Sequence, residues 1–530
     1  MINSITSRLV LVASILFFAV WLYLTFSPIS PASLLFTDDG PLSFAIGRLT
    51  LQGQIPLLGQ PSHFGGRHLG PWYYYLCAVF ELISGKDPFV TALLFSALKA
   101  ITVLSLIWFT ANLFPRHKYI YYLAAAVLLF CGSLTFVISV PWVNHFLIVP
   151  SSLTLICTYL CLKNGPSYLP FFLAAASLQV QTFFGSAPMA AVCALTICAH
   201  LYLNFETFEP KKNLTSLLGT ALFLLSWVPV LLYEVQFDSN LAKLFARHFE
   251  GHQFTAPISD AFRLVSEFLL FYMSGQPIGE HFSIALISIA AAILSLILIK
   301  TFYESETPLQ YFLIACIVSI AFQGISLVNV EPPLHHFYLN CLIPVVIILS
   351  TIVYGSLLSA LLAPKKLTLW WITPAVATGL IALVLSPNIH RFKLQYDSVP
   401  FSELESLKHA KEVSSLIDKD NNYNSNFKLI LKGEYQSRKA AIYLLAKEIE
   451  YARMPYAPYF KELPAFKRKK KKRRSKIDSA YLLVCGKNVA RKEIAAIKDV
   501  SQYWTFERAV DLTSCSTCQK CALNRFSSKS

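Results

Sequence analysis

Residues 89–114 read FVTALLFSALKAITVLSLIWFTANLF, with Lys99 as their single charge. Pro115, Arg116, His117 and Lys118 follow, and residues 119–140 then read YIYYLAAAVLLFCGSLTFVISV with no charge at all. A hydrocarbon layer about 30 Å thick is crossed by roughly 20 apolar residues. Two such runs around a basic punctuation mark predict a pair of membrane spans joined by a short turn on the cytoplasmic side. Working outward, the same texture recurs at 9–26, 146–163, 168–184, 186–203, 214–234, 282–302, 308–328, 336–362 and 367–386. The expected fold is a polytopic all-α membrane protein of about eleven spans, up to thirteen, ending in a soluble α/β domain. Composition agrees: 55% of the chain is hydrophobic and 14% charged, against roughly 25% charged in soluble globular proteins. That excludes an ordinary soluble enzyme or binding module. The 168–203 region is the hardest to parse, because Gly185 and Pro188 fit a kink as well as a turn.

Charge divides the chain in two. Residues 1–386 carry 16 Lys and Arg against 15 Asp and Glu, whereas residues 387–530 carry 29 against 15. The division predicts a transmembrane domain over 1–386 and a basic extracytoplasmic domain over 387–530. The run 9–26 follows Arg8 and lacks a small-residue cleavage site, so it reads as a retained first span. Arg8, Arg116, Lys118, Lys163, Lys211, Lys212, Lys300, Lys365 and Lys366 all fall on one side of this span plan. The positive-inside rule makes that side cytoplasmic. The chain is then a multi-pass inner (cytoplasmic) membrane protein with its N-terminus inside. Loops 27–88 and 235–281 and the tail lie outside. Segment 71–84 is short and carries Glu81, which predicts a helix lying on the outer surface.

In the tail, alternating runs at 427–431 and 480–484 sit among helical stretches at 402–417 and 437–451, a pattern of α/β type. The insert 467–476 is almost wholly basic and reads as a solvated loop, with anionic lipid or glycan contact next and nucleic acid not expected. Of twelve cysteines, eight lie in apolar segments, where they act as small hydrophobes. The other four are Cys485, Cys515, Cys518 and Cys521. Outside the cytoplasm, disulfides are the simplest reading, with three possible pairings; a zinc site held by all four of these cysteines is the alternative.

Chemistry concentrates in the first outer loop. It reads Phe36-Thr37-Asp38-Asp39-Gly40-Pro41, then an apolar helical stretch to Gly53, then residues 59–75, GQPSHFGGRHLGPWYYY. Two adjacent carboxylates raise one another's pKa, and one of them can then serve as a general base near neutral pH. An acidic turn capping a helix is the equally good structural reading. Arg67 and His68 stand among glycines at the membrane surface, where Arg can hold a phosphate bidentately or simply reach for lipid headgroups.

These segments, in this order, resemble the first extracytoplasmic loop of bacterial glycosyltransferase family 39 and family 83-like proteins. Those are GT-C fold enzymes related to protein O-mannosyltransferases and to the lipid A aminoarabinose transferase. The later stretches VPWVNHFLIVPSSL (140–153), LAAASLQVQTFFGSAP (173–188), WVPVLLYEVQFDSN (227–240) and HHFYLNCLIPVVIIL (335–349) resemble further pieces of that pattern. The resemblance covers roughly 9–386 and none of the tail.

The resemblance implies an inverting transferase. It would move a sugar from a polyprenyl-phosphate-linked donor to a cell-envelope lipid, glycan or protein at the outer membrane face. Asp38 or Asp39 would be the catalytic carboxylate, with Asp38 favoured; the family usually has Asp followed by Glu. Arg67 and His68 are the first candidates for the donor phosphate, then Lys243, Arg247, Arg263 and His336. Arg48, His63, Tyr74, Glu234 and Tyr338, from the same stretches, are expected around the donor and acceptor pocket. The implied partners are the lipid-linked donor, the envelope acceptor and membrane lipids. No obligatory metal or other cofactor is expected. Two rivals remain: a transporter or flippase of lipid-linked precursors, which would show repeat symmetry that the sequence lacks, and a non-catalytic envelope assembly protein.

Overall fold

The computed structural model describes residues 39–53, 55–60, 67–85, 88–115, 118–129, 132–204, 214–237, 239–249, 256–274, 306–330, 334–362, 427–433, 479–486, 504–511 and 520–528. The expected spans 9–26, 282–302 and 367–386 lie outside them, as do the helical stretches 402–417 and 437–451 and the basic insert. Contacts divide the chain into two compact units. The first holds residues 58–60, 67–73 and the bundle from Leu93 to Leu362. The second holds residues 39–57 and 74–92, as far as they are described, and a C-terminal sheet.

The bundle begins with α3 (Pro88–Asn112), whose 25 residues reach about 37 Å. The expected span 119–140 is described over α4 (Lys118–Leu129) and α5 (Gly132–Ser139), residues 130–131 lying outside the described residues. A short α6 (Val143–Phe146) leads into α7 (Ile148–Asn164). Helix α7 stops where Gly165 takes φ 83°, a left-handed conformation that favours glycine, and Pro166 follows. Next come α8 (Leu169–Thr182) and α9 (Ala187–Leu203). Between them Phe183 is extended and residues Phe184–Ser186 form a 3-10 turn. Pro188 then sits in the first turn of α9, where a missing N–H costs nothing, so Gly185 and Pro188 mark a new helix rather than a kink. After α10 (Leu214–Gln236), α11 (Asn240–Phe249) and α12 (Ile258–Ser274) come α13 (Thr307–Ser326), a 3-10 segment His336–Leu342 and α14 (Ile343–Leu362). Among the described residues, six helical segments are long and apolar enough to cross a membrane: Val90–Asn112, Val143–Asn164, Phe184–Leu203, Ser216–Gln236, Thr307–Asn329 and His336–Ser356. The chain is an integral membrane protein.

Lipid offers no hydrophobic drive between helices, so small residues and close packing hold them together. A Cβ on Gly219 of α10 would lie 2.8 Å from the Phe171 nitrogen of α8, and Ser177 and Ser226 pair at 3.1 Å further along the same crossing. These two helices therefore run parallel. Helices α9 and α13 run antiparallel: Gln323 of α13 donates to the Gly185 carbonyl before α9 begins, and His200 near the end of α9 packs on Tyr311. Outward, Leu217, Leu224, Leu225, Leu231 and Val235 of α10 are all exposed, as a lipid-facing surface requires.

In the second unit, α1 (Asp39–Leu51) lies on α2 (Trp72–Ile83). Gly47 allows the approach, since a Cβ there would meet the Cys77 carbonyl carbon at 2.8 Å. The next residue, Arg48, reaches through Nε to Glu81 Oε2 at 2.5 Å, one turn beyond Cys77 on α2, both side chains buried. Thr91 donates to the other Glu81 oxygen at 3.0 Å. Tyr75 donates to the Pro56 carbonyl, and burial pushes its phenol up to about 12. The 12 residues of α2 reach about 18 Å, too short to span, as its sequence suggests. The sheet has strands β1 (Phe427–Gly433), β2 (Ser479–Gly486), β3 (Trp504–Asp511) and β4 (Lys520–Ser528), in the order β1-β2-β4-β3. Strands β1 and β2 are parallel, and the other two pairings are antiparallel. The alternating runs at 427–431 and 480–484 fall inside β1 and β2.

Candidate functional site

The interruptions between helices meet. Residues 140–142, between α5 and α6, approach the His336–Leu342 segment: Trp142 packs on Phe337 at 5.4 Å, and Asn340 donates to the Asn144 carbonyl at 3.2 Å. The turn between α8 and α9 joins them. Gln323 Nε2 donates to the carbonyls of Gly185 (2.7 Å) and Tyr338 (3.2 Å), and Phe183 faces Tyr338 at 6.5 Å. Residues 67–73 then lie against this junction. Gly70 N–H donates to Gln181 O, Phe184 N–H to His68 Nδ1, and the Tyr73 hydroxyl to Pro141 O. One end of the bundle is thus a gathering of backbone turns with buried polar side chains.

Arg67 is held by its backbone. The Asn240 amide accepts from Arg67 N–H at 2.8 Å and donates to Arg67 O at 2.9 Å, the two-bond exchange of an antiparallel strand pair. Asn240 opens α11, and Glu234 Oε1 receives the first two N–H groups of that helix, Asn240 at 3.0 Å and Leu241 at 2.9 Å. Glu234, expected at the pocket, therefore acts here as a helix cap. Residues 59–60 and 67–68 close a small ladder, and the Arg67 guanidinium donates to Gly59 O at 3.2 Å. Leu69 packs with Val230 and Leu244 beneath it. Both Arg67 and His68 are buried. Because His68 Nδ1 accepts a backbone N–H, the ring proton resides on Nε2, and the ring packs on Phe183 at 5.2 Å.

The remaining expected residues separate. Arg263 and His336 share one carboxylate: Arg263 Nε meets Glu267 Oε1 at 2.8 Å, and His336 Nε2 meets Oε2 at 3.7 Å. Lys243 is exposed on α11. Tyr338 is buried at the junction, packed on Phe337. Tyr74 is buried on α2, and Arg48 is committed to Glu81. Asp39 is the first residue of α1. Asp38, His63 and the side chains of Asp39 and Arg247 lie outside the described residues. Among those described, no group of three or more His, Cys, Asp or Glu side chains is placed to hold a metal ion.

Sequence reading gave no site role to Lys99, Asn144, Gln179, Gln323 or Asn240. Four of them are polar side chains in apolar runs, which is itself a functional signal. Asn144 Oδ1, His145 Nδ1, Gln179 Oε1 and Gln323 Oε1 are buried and have no hydrogen-bond partner among the described residues. Lys99 is 1% exposed. Its ammonium donates to Val137 O and Val140 O at 2.6 Å each, and Ser96 one turn earlier donates to Ser139 O. One face of α3 thus satisfies the Val137 and Ser139 carbonyls at the end of α5 and adds a second donor to Val140 O, which also accepts the Trp142 N–H at 2.8 Å, and so fixes the turn carrying Trp142 and Asn144. Lys99→Met strips Val137 O of its donor in a low-dielectric setting and leaves Val140 O with the Trp142 N–H alone, which costs about 2 kcal/mol. Detergent-solubilised Lys99→Met should melt well below the wild type; equal melting temperatures would refute this capping role.

Gly70 is equally constrained. A Cβ there would lie 2.5 Å from Gln181 Oε1 and 2.8 Å from Trp72 Cδ1. Neither can yield freely, because Trp72 Nε1 donates to that same Gln181 oxygen at 2.9 Å and Gln181 Nε2 to Ser177 at 2.8 Å. Gly70→Ala should destabilise the protein by roughly 1–3 kcal/mol, read as a lowered unfolding temperature; an unshifted transition would mean that the loop moves aside.

No protein-family model and no curated protein matches the chain. Its fold matches the crystal structure of ArnT from Cupriavidus metallidurans bound to undecaprenyl phosphate, with a TM-score of 0.53 and 12% identity. The match covers 96% of this chain and 97% of that one. The apo crystal structure of the same ArnT gives a TM-score of 0.52 over the same shares. At this identity the likeness establishes the GT-C type of fold, along nearly the whole chain.

Proposed function

We propose that the protein is a membrane glycosyltransferase that takes a sugar from a polyprenyl-phosphate-linked donor and gives it to a cell-envelope acceptor by single displacement with inversion. The observation that carries this reading is the polar end of the bundle, where three helix interruptions and residues 67–73 converge on a fold shared with an undecaprenyl-phosphate-binding ArnT. On this reading Asp38, with Asp39 as its alternate, accepts the proton of the acceptor hydroxyl as that oxygen attacks the anomeric carbon. The bond to the lipid phosphate breaks, and Arg67 and His68 stabilise the departing phosphate. His68 suits that role through an Nε2–H donor, and Arg67 through a guanidinium held at the junction. Arg263, paired with Glu267, and His336 beside the same carboxylate are the secondary candidates for an incoming phosphate. The polyprenyl chain lies in the bilayer against the apolar helices. No step needs an obligatory metal. The polar end faces the extracytoplasmic side, as the distribution of basic residues in the inner loops implies.

The test is a mass-spectrometric comparison of envelope lipids and glycans from cells with and without the protein. A sugar-sized mass present only with the protein, together with a lipid-linked sugar accumulating without it, is the expected result. Identical profiles in both would overturn the proposal.

A further inference from the structure

In the C-terminal sheet, β2 and β4 run antiparallel with Cys485 directly opposite Cys521. Their neighbours keep the same register, Val484 with Ala522 and Gly486 with Lys520. Directly opposed residues of antiparallel strands have Cα atoms about 4.5 or 5.5 Å apart. Both spacings lie within the roughly 4.4–6.8 Å that a disulfide spans. Four tail cysteines can form two bridges in three ways, and one of those ways joins Cys485 to Cys521. The register selects it.

We propose that Cys485 and Cys521 form a disulfide that staples β2 to β4. The thiolate of one attacks a disulfide-bearing oxidant to give a mixed disulfide, and the thiolate of the other displaces the carrier. The two thiol protons and the electron pair leave with the oxidant as its reduced dithiol. The staple closes the chain around β3 and fixes the final strand, which restricts the unfolded ensemble. It contrasts with the helical cysteines: Cys77, Cys161, Cys193, Cys316 and Cys341 are buried and free. The inference stands apart from the transferase reading and requires only that the tail meet an oxidising compartment.

Trypsin provides a clean assay. Cleavage after Lys487, Lys520 and Arg525 places Cys485 on peptide 477–487 and Cys521 on peptide 521–525, while Cys515 and Cys518 share peptide 509–520. Full-length protein is taken from membranes with free thiols blocked by N-ethylmaleimide, digested without reduction and analysed by mass spectrometry. The expected species is 477–487 joined to 521–525, two hydrogens lighter than the reduced pair. It should persist in Cys515→Ser and Cys518→Ser and vanish in Cys485→Ser, where Cys521 becomes alkylated. Three results would each overturn the proposal: Cys485 and Cys521 alkylated in the wild type, Cys485 joined to 509–520, or thiols protected only until a chelator is added.

Discussion

Asp38→Asn is expected to leave a folded, membrane-inserted protein that transfers sugar at least about a hundredfold more slowly, the scale of losing a general base. The substitution separates chemistry from structure. Asp38 directly precedes α1, which begins at Asp39, and the rival reading makes it a helix cap. Asn caps a helix about as well as Asp, and its side chain is nearly the same size. A fall in rate without a fall in stability therefore isolates the carboxylate's basicity. Asp39→Asn should slow transfer less. The measurement is product formation in membranes matched for protein amount, alongside a melting curve. Wild-type rates in both single variants and in the double variant would remove the catalytic assignment altogether.

The second large effect is on stability. Arg48→Met should destabilise the second unit by about 3–5 kcal/mol, because it leaves the Glu81 carboxylate buried without its cation. Glu81 is fully enclosed, and Thr91 alone, through one hydroxyl, cannot replace a guanidinium. Glu81→Gln in the Arg48→Met background should recover much of the loss, since an amide needs no counter-charge. The pair adjoins the Gly47 contact that seats α1 on α2, with Glu81 one turn beyond Cys77. Thermal unfolding of the single and double variants measures the coupling, and a double variant no more stable than Arg48→Met would show that the ion pair is not the source.

How far the sequence reached depended on the kind of signal. Long apolar runs announce themselves, so α3, α7, α9, α10 and α13 fall within a few residues of their expected spans. The loop carrying Arg67 and His68 was legible from its glycines, and the structure seats those residues at the junction. Their partners were not legible: Asn240 meets Arg67 from 173 positions away, and a lone Asn in a polar loop looks like any turn residue. Glu234, which the resemblance places at the pocket, receives two backbone N–H groups on Oε1, partners that no sequence pattern foretells. Lys99 could have been singled out, since a charge inside an apolar run is costly; its partners, two carbonyls at the end of another helix, are invisible to any pattern.

The grip of the Asn240 side-chain amide on residue 67 uses only the main-chain atoms of that residue. It would hold any amino acid but proline at that position, so the location of the group is written in one residue and its identity in another. A descendant could exchange arginine for lysine or histidine, retuning what the site attracts, while the loop kept its berth against α11. Loss of Asn240 would do the opposite, retaining the cation and surrendering its address.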